Sequence, residues 1–104
     1  MSAEHAGKTK RCLRILEMLC VRALDGISNR ELAAALRTSA ANVSRDVALL
    51  ASLGWAETLE NGRYAVTAKP LAVLRGYEIH MQNAAARAKE LDQRIEARAR
   101  QFAK

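Results

Sequence analysis

Between positions 40 and 45 the chain reads Ala40-Ala41-Asn42-Val43-Ser44-Arg45, small residues carrying one amide, one hydroxyl and one guanidinium. These groups make hydrogen bonds, and none of them is a nucleophile beside a base. An asparagine amide sets a donor next to an acceptor, the pattern that pairs with adenine in a major groove. Arginine presents a fork of donors that fits guanine or a phosphate. The alanines allow close approach and can meet a thymine methyl. Catalysis has no comparable support: there is no Gly-rich phosphate loop and no Cys–His or Ser–His–Asp set in workable geometry. The 104 residues also leave little chain to close a cleft, so neither an enzyme nor a cofactor is expected. His5 and His80 have no ligand-spaced partners and no Cys-x-x-Cys occurs, so no metal is expected either. Cys12 and Cys20 fall on one expected helix, about 12 Å apart, too far for a disulfide.

The elements that must carry this run are legible from period and punctuation. From Thr9 the apolar residues Cys12, Ile15, Leu16, Leu19, Cys20 and Ala23 recur at helical spacing, and Asp25-Gly26 ends that helix. Ser28-Asn29-Arg30-Glu31 is a capping box opening a short second helix that buries Leu32, Ala33 and Leu36. Arg37-Thr38-Ser39 reads as a turn, with Ser39 or Thr38 capping a third helix that runs to about Leu53. Val43, Val47 and Leu50 mark its inner face, and Gly54 stops it.

The period then changes. Residues 55–59 and 63–67 are β-prone runs around Glu60-Asn61-Gly62, and Asn-Gly there is a strong hairpin signal because both residues accept positive φ. The expected fold is mainly α: a winged helix-turn-helix of three helices and a short β-hairpin, followed by one long C-terminal helix. Residues 1–8 are expected to be a flexible basic tail, 9–69 the helical domain with its hairpin, and 70–104 the long helix.

Past Pro70 the apolar residues settle into a heptad. Leu74, Met81, Ala88, Ile95 and Phe102 form one seam row; Tyr77, Ala84 and Leu91 form the other, which only Arg98 breaks. One helix cannot bury such a stripe alone, so a partner helix and a homodimer are expected. Arg87 and Asp92 flank the stripe five residues apart, the offset that cross-links a parallel pair, although antiparallel pairing stays open. At about 50 Å the helix is too long for so small a domain to cover by itself.

Composition fits a globular chain, with 50% apolar and 27% charged residues. Eighteen apolar residues never run together and Met1–Lys10 has no apolar core, so neither a membrane partner nor a signal peptide is expected and the cytoplasm is the default location. The net charge of +6 favours polyanions. It is shared evenly, ten basic against seven acidic residues up to position 70 and seven against four beyond it.

Leu13-Arg14-Ile15-Leu16-Glu17-Met18-Leu19, Ser28-Asn29-Arg30-Glu31-Leu32-Ala33, Asn42-Val43-Ser44-Arg45, Leu53-Gly54-Trp55 and Gly62-Arg63-Tyr64 together resemble the DNA-binding domain of IclR-type transcriptional regulators. The likeness spans about residues 9–76. It implies a sequence-specific, dimeric regulator of double-stranded DNA whose third helix enters the major groove. Members of that family carry an effector-binding domain after the linker helix, which is not seen in this sequence. A regulator that is constitutive, controlled by its own abundance or controlled by another protein is therefore expected.

On that scheme Ala40, Ala41, Asn42, Ser44 and Arg45 face base edges, and Thr38 and Ser39 combine capping with phosphate contact. Ser28, Asn29 and Arg30 offer a second helix N-terminus, Arg37 a turn charge, and Asn61 with Arg63 the tip of the wing. Lys8, Lys10 and Arg11 are candidates for an arm along the DNA backbone, and Trp55 and Tyr64 read as packing residues. Two other functions fit the same composition: a winged-helix adaptor that binds protein, and an architectural DNA binder without sequence preference.

Overall fold

The computed structural model describes residues 3–103. Four helices and one antiparallel hairpin follow in the order α1 (Ala3–Val21), α2 (Asn29–Leu36), α3 (Ala40–Ser52), β1 (Ala56–Thr58), β2 (Tyr64–Val66) and α4 (Lys69–Phe102). The first helix begins at Ala3, six residues before the expected start at Thr9. Positions 3–8 are therefore helical rather than a flexible tail, and the first two residues of that expected tail lie outside the described residues. The helix is amphipathic: Cys12, Ile15 and Leu19 are buried, whereas Cys20 is exposed and Leu16 only half-buried.

Each short helix is started by a serine. The Ser28 hydroxyl accepts from Glu31 N–H at 3.1 Å, and the Ser39 hydroxyl accepts from Asn42 N–H at 3.1 Å, each satisfying a donor the helix cannot satisfy internally. The first box differs from expectation in one respect. The Glu31 carboxylate accepts from the Ser28 hydroxyl and from Arg63 rather than from a backbone N–H of Ser28. Arg37 ends α2 in the left-handed conformation (φ 53°, ψ 49°), where its N–H reaches back to Ala33 and Ala34 carbonyls.

The hairpin registers Ala56 with Val66, Glu57 with Ala65 and Thr58 with Tyr64. Its turn is not the expected one with two positive-φ residues, because only Gly62 (φ 85°) is left-handed there. Gly62 N–H donates to Leu59 O, and Leu59 N–H to Arg63 O, a three-residue loop closed by one left-handed glycine. Ile27 adds a bridge on the outer side of β2, exchanging two 2.8 Å hydrogen bonds with Tyr64. The α1–α2 loop is thereby fastened to the hairpin.

One core joins these elements: Ile15 and Leu19 of α1, Leu32 and Leu36 of α2, Val43, Val47 and Leu50 of α3, with Ile27, Ala56 and Val66. Trp55 and Tyr64 pack against it as half-buried residues, matching their reading as packing groups.

The described residues divide after Pro70 into two compact units, close to the boundary expected from the heptad. The second unit is the body of α4. Leu74, Tyr77, Met81, Ala88, Leu91, Ile95 and Phe102 are all exposed along it, and Ala84 is half-buried. Among the described residues no helix is long and apolar enough to cross a membrane.

Candidate nucleic-acid interface

The start of α3 is built against the start of α2 by one side chain. Asn29 directs its amide nitrogen at Ala40 O (3.0 Å), Ser44 Oγ (3.0 Å) and Tyr64 Oη (3.3 Å), so α2, α3 and β2 meet at a single group. Its Oδ1 is buried without a hydrogen-bond partner. Asn29, expected on the interface, is thus half-buried and acts as a brace behind it.

Asn42 and Arg45 form a second link. Arg45 Nη2 donates to Asn42 Oδ1 at 2.7 Å, and Asn42 Nδ2 donates to Thr38 Oγ1 at 2.9 Å. Thr38 and Asn42 are half-buried, while Ala40, Ala41, Ser44, Arg45 and Ala48 are exposed. Among the described residues no carboxylate pairs with Arg45. The result is a face of small residues with one outward guanidinium held at its base. Arg30 and Arg37 are also exposed. Ser28 and Ser39 have their hydroxyl groups engaged as caps.

The hairpin residues do something else. Asn61 Oδ1 accepts from Arg63 N–H at 3.0 Å, a local bond that shapes the turn. The Arg63 side chain folds back onto the α1–α2 loop, donating to Asp25 O (3.2 Å), Gly26 O (3.0 Å) and Glu31 Oε1 (3.1 Å). A guanidinium with three internal acceptors is a clasp, not the free tip expected of it. The reason is Gly26: its left-handed φ of 74° turns two loop carbonyls toward the hairpin, and a guanidinium fork matches them.

Electrostatics at this clasp centre on Glu31. Desolvation pushes its carboxyl up, but hydrogen bonds from Ser28 and Arg63, with the Arg63 and Arg22 charges, outweigh it and hold the pKa below the ordinary 4.5.

Sequence reasoning missed Asp46. It is fully buried, with Arg11 Nε at 2.8 Å from Oδ2, Arg11 Nη2 at 3.4 Å from Oδ1 and Lys8 Nζ at 3.7 Å from Oδ1. Two of the three cations expected to lie along a DNA backbone are therefore directed at α3 from α1; Lys10 is exposed. The signal was present: Asp46 falls three residues after Val43 and four before Leu50, on the buried stripe. A carboxylate at such a position requires a cation from a neighbouring element. Beside it, burial pushes the Cys12 thiol up, with Asp46 adding to the rise and Lys8 and Arg11 opposing it.

At the far end of α3, Lys69 Nζ donates to Leu53 O at 2.8 Å and stands 5.0 Å from the Trp55 ring centroid. This cation closes the helix C-terminus and covers the indole. Comparison with family models, curated proteins and solved structures finds no match to this chain.

Proposed function

We propose that residues 3–70 form a winged helix-turn-helix of the IclR type, and that the chain is a sequence-specific double-stranded DNA-binding transcriptional regulator. The observation that carries this reading is the exposed face at the start of α3. Its small residues permit entry into a groove, and Arg45 is exposed with no carboxylate among the described residues to neutralise it. Asn29 and the two serine caps fix that face, so binding would not have to order it first. The net charge of +6 supports a polyanionic partner.

The exposed heptad stripe of α4 supports a dimer. Two copies paired in parallel set Arg87 of each against Asp92 of the other. Antiparallel pairing would bring Arg87 onto its own copy and Glu78 toward Asp92, both like-charged. A dimer in which each α3 enters a major groove reads a roughly palindromic site.

The deciding experiment is selection from a random duplex library at physiological salt, followed by sequencing. An enriched inverted repeat is the expected result. Recovery without a motif would replace specific regulation by an architectural role, and no recovery would point to a protein partner instead.

A further inference from the structure

The Asn42–Arg45 pair carries an inference about which base α3 reads, and it rests on the DNA-binding reading above. An asparagine that recognises adenine turns its amide donor and its carbonyl acceptor together to the base edge. Here both amide atoms are already committed to neighbours, one Nδ2 hydrogen to Thr38 Oγ1 at 2.9 Å and Oδ1 to Arg45 Nη2 at 2.7 Å, so these two bonds and not a base set the orientation of the amide. The side chain is half-buried, and its own N–H is held by the Ser39 cap. Arg45 is placed differently. It is exposed, it has five N–H groups, and the bond to Asn42 uses one of them. The remaining donors still make a fork, which matches the two acceptors O6 and N7 of guanine; adenine offers one acceptor and one donor at that edge.

We propose that Asn42 is a positioning residue rather than a base reader, and that it holds the Arg45 guanidinium for guanine in each half-site. Ser39 holds the Asn42 backbone and Thr38 its side chain, and Asn42 in turn holds the Arg45 guanidinium, so the link runs from the turn to the tip of the reading side chain. It fixes a long arginine that otherwise loses rotamer freedom on binding. Asn29 anchors Ser44 and the Ala40 carbonyl on the same helical turn, which keeps the backbone under the pair in place.

The test uses the full chain, the best duplex from the random-library selection, and the same duplex with single guanines replaced by 7-deazaguanine. That base keeps its pairing but lacks N7. The wild type should lose about tenfold or more in affinity at one guanine per half-site, and Arg45→Ala should be indifferent to that replacement. Asn42→Ala should retain binding but lose most of the discrimination there. Asn42→Asp keeps the acceptor and should restore the discrimination, while its added negative charge weakens all duplexes alike. A merely structural Asn42 would change affinity without changing this ratio, and that result overturns the proposal. So does a motif in which Asn42→Ala and Asn42→Asp both abolish an adenine preference while the guanine is untouched. If the wild type enriches no motif, the DNA-reading assignment itself has failed, which is a different result from a motif that lacks the Arg45-dependent guanine.

Discussion

Arg11 Nε stands 2.8 Å from Asp46 Oδ2 across 35 positions of sequence, joining the middle of α1 to the centre of α3. Asp46 is fully buried, whereas Arg11 keeps a quarter of its side chain exposed (25%) and Lys8 more than a third (38%). The partners are therefore unequal. Arg11→Ala leaves a buried carboxylate with only Lys8 at 3.7 Å, and should cost about 3 kcal/mol in urea unfolding. Asp46→Leu removes the buried charge itself and fills the space with carbon, so it should cost about 1 kcal/mol or less. Equal losses in the two variants would mean that the pair does not work through desolvation.

Gly26 and Gly62 are both left-handed, yet they should tolerate alanine very differently. A Cβ at Gly26 would sit 2.7 Å from Tyr64 O, a backbone atom held in the bridge to Ile27, and so unable to withdraw. At Gly62 nothing lies within 4 Å. Gly62→Ala should therefore cost only the conformational penalty, about 1 kcal/mol. Gly26→Ala adds a clash to it and should cost about 3 kcal/mol. Paired thermal melts read both, and comparable shifts would show that the loop moves away from β2 at little cost.

The Glu31 clasp gives stability a dependence on acid. A carboxyl whose pKa is lower folded than unfolded contributes fully above the ordinary 4.5, and the contribution disappears as pH falls through the depressed folded value. Glu31→Gln should flatten the stability profile in that window while lowering stability at neutral pH. Arg63→Ala should do the same and, in addition, strip the Asp25 and Gly26 carbonyls of a donor, so it should be the more destabilising of the two at neutral pH. Arg63→Lys should rescue little, because one ammonium cannot span three acceptors held by a fork. Urea titrations at several pH values separate these outcomes. An unchanged acid limb in Glu31→Gln would remove the carboxylate from the clasp.

What the sequence made legible followed repetition and punctuation. The three helices, the hairpin and α4 emerge because apolar period, serine caps and glycines act locally. The failures at Arg11, Asn29 and Arg63 involve partners distant in sequence, and the others are local. Residues 3–8 are polar, so no period marks them, yet they continue the helix. Cys20 has the spacing of a core residue but lies past the edge of the buried stripe set by Ile15 and Leu19. Arg63 and Arg11 are expected at DNA because a surface charge and a clasped charge look alike until the acceptor is placed. Asn29 and Asn42 share this ambiguity, since their polar groups serve neighbours rather than solvent. Arg45 alone among the side chains expected at the base edges is both charged and outward-facing.

The α4 stripe yields the most direct oligomer test. Leu91 lies mid-seam and is exposed in the single chain, so Leu91→Asp should leave the fold intact and give monomers in sedimentation, where the proposal expects dimers of the wild type. Orientation follows from one introduced thiol. In a parallel pair position 95 meets its own copy across the seam, so Ile95→Cys in a Cys20→Ser background should oxidise to a covalent dimer. In the antiparallel pair that keeps the whole stripe in contact, position 95 faces Tyr77 and lies about 27 Å from its copy, too far for a bridge. Cys12 is buried and its thiol is pushed up, so it should not compete. A dimer that forms without the covalent link would reverse the orientation. One that survives Leu91→Asp would move the interface away from α4 altogether.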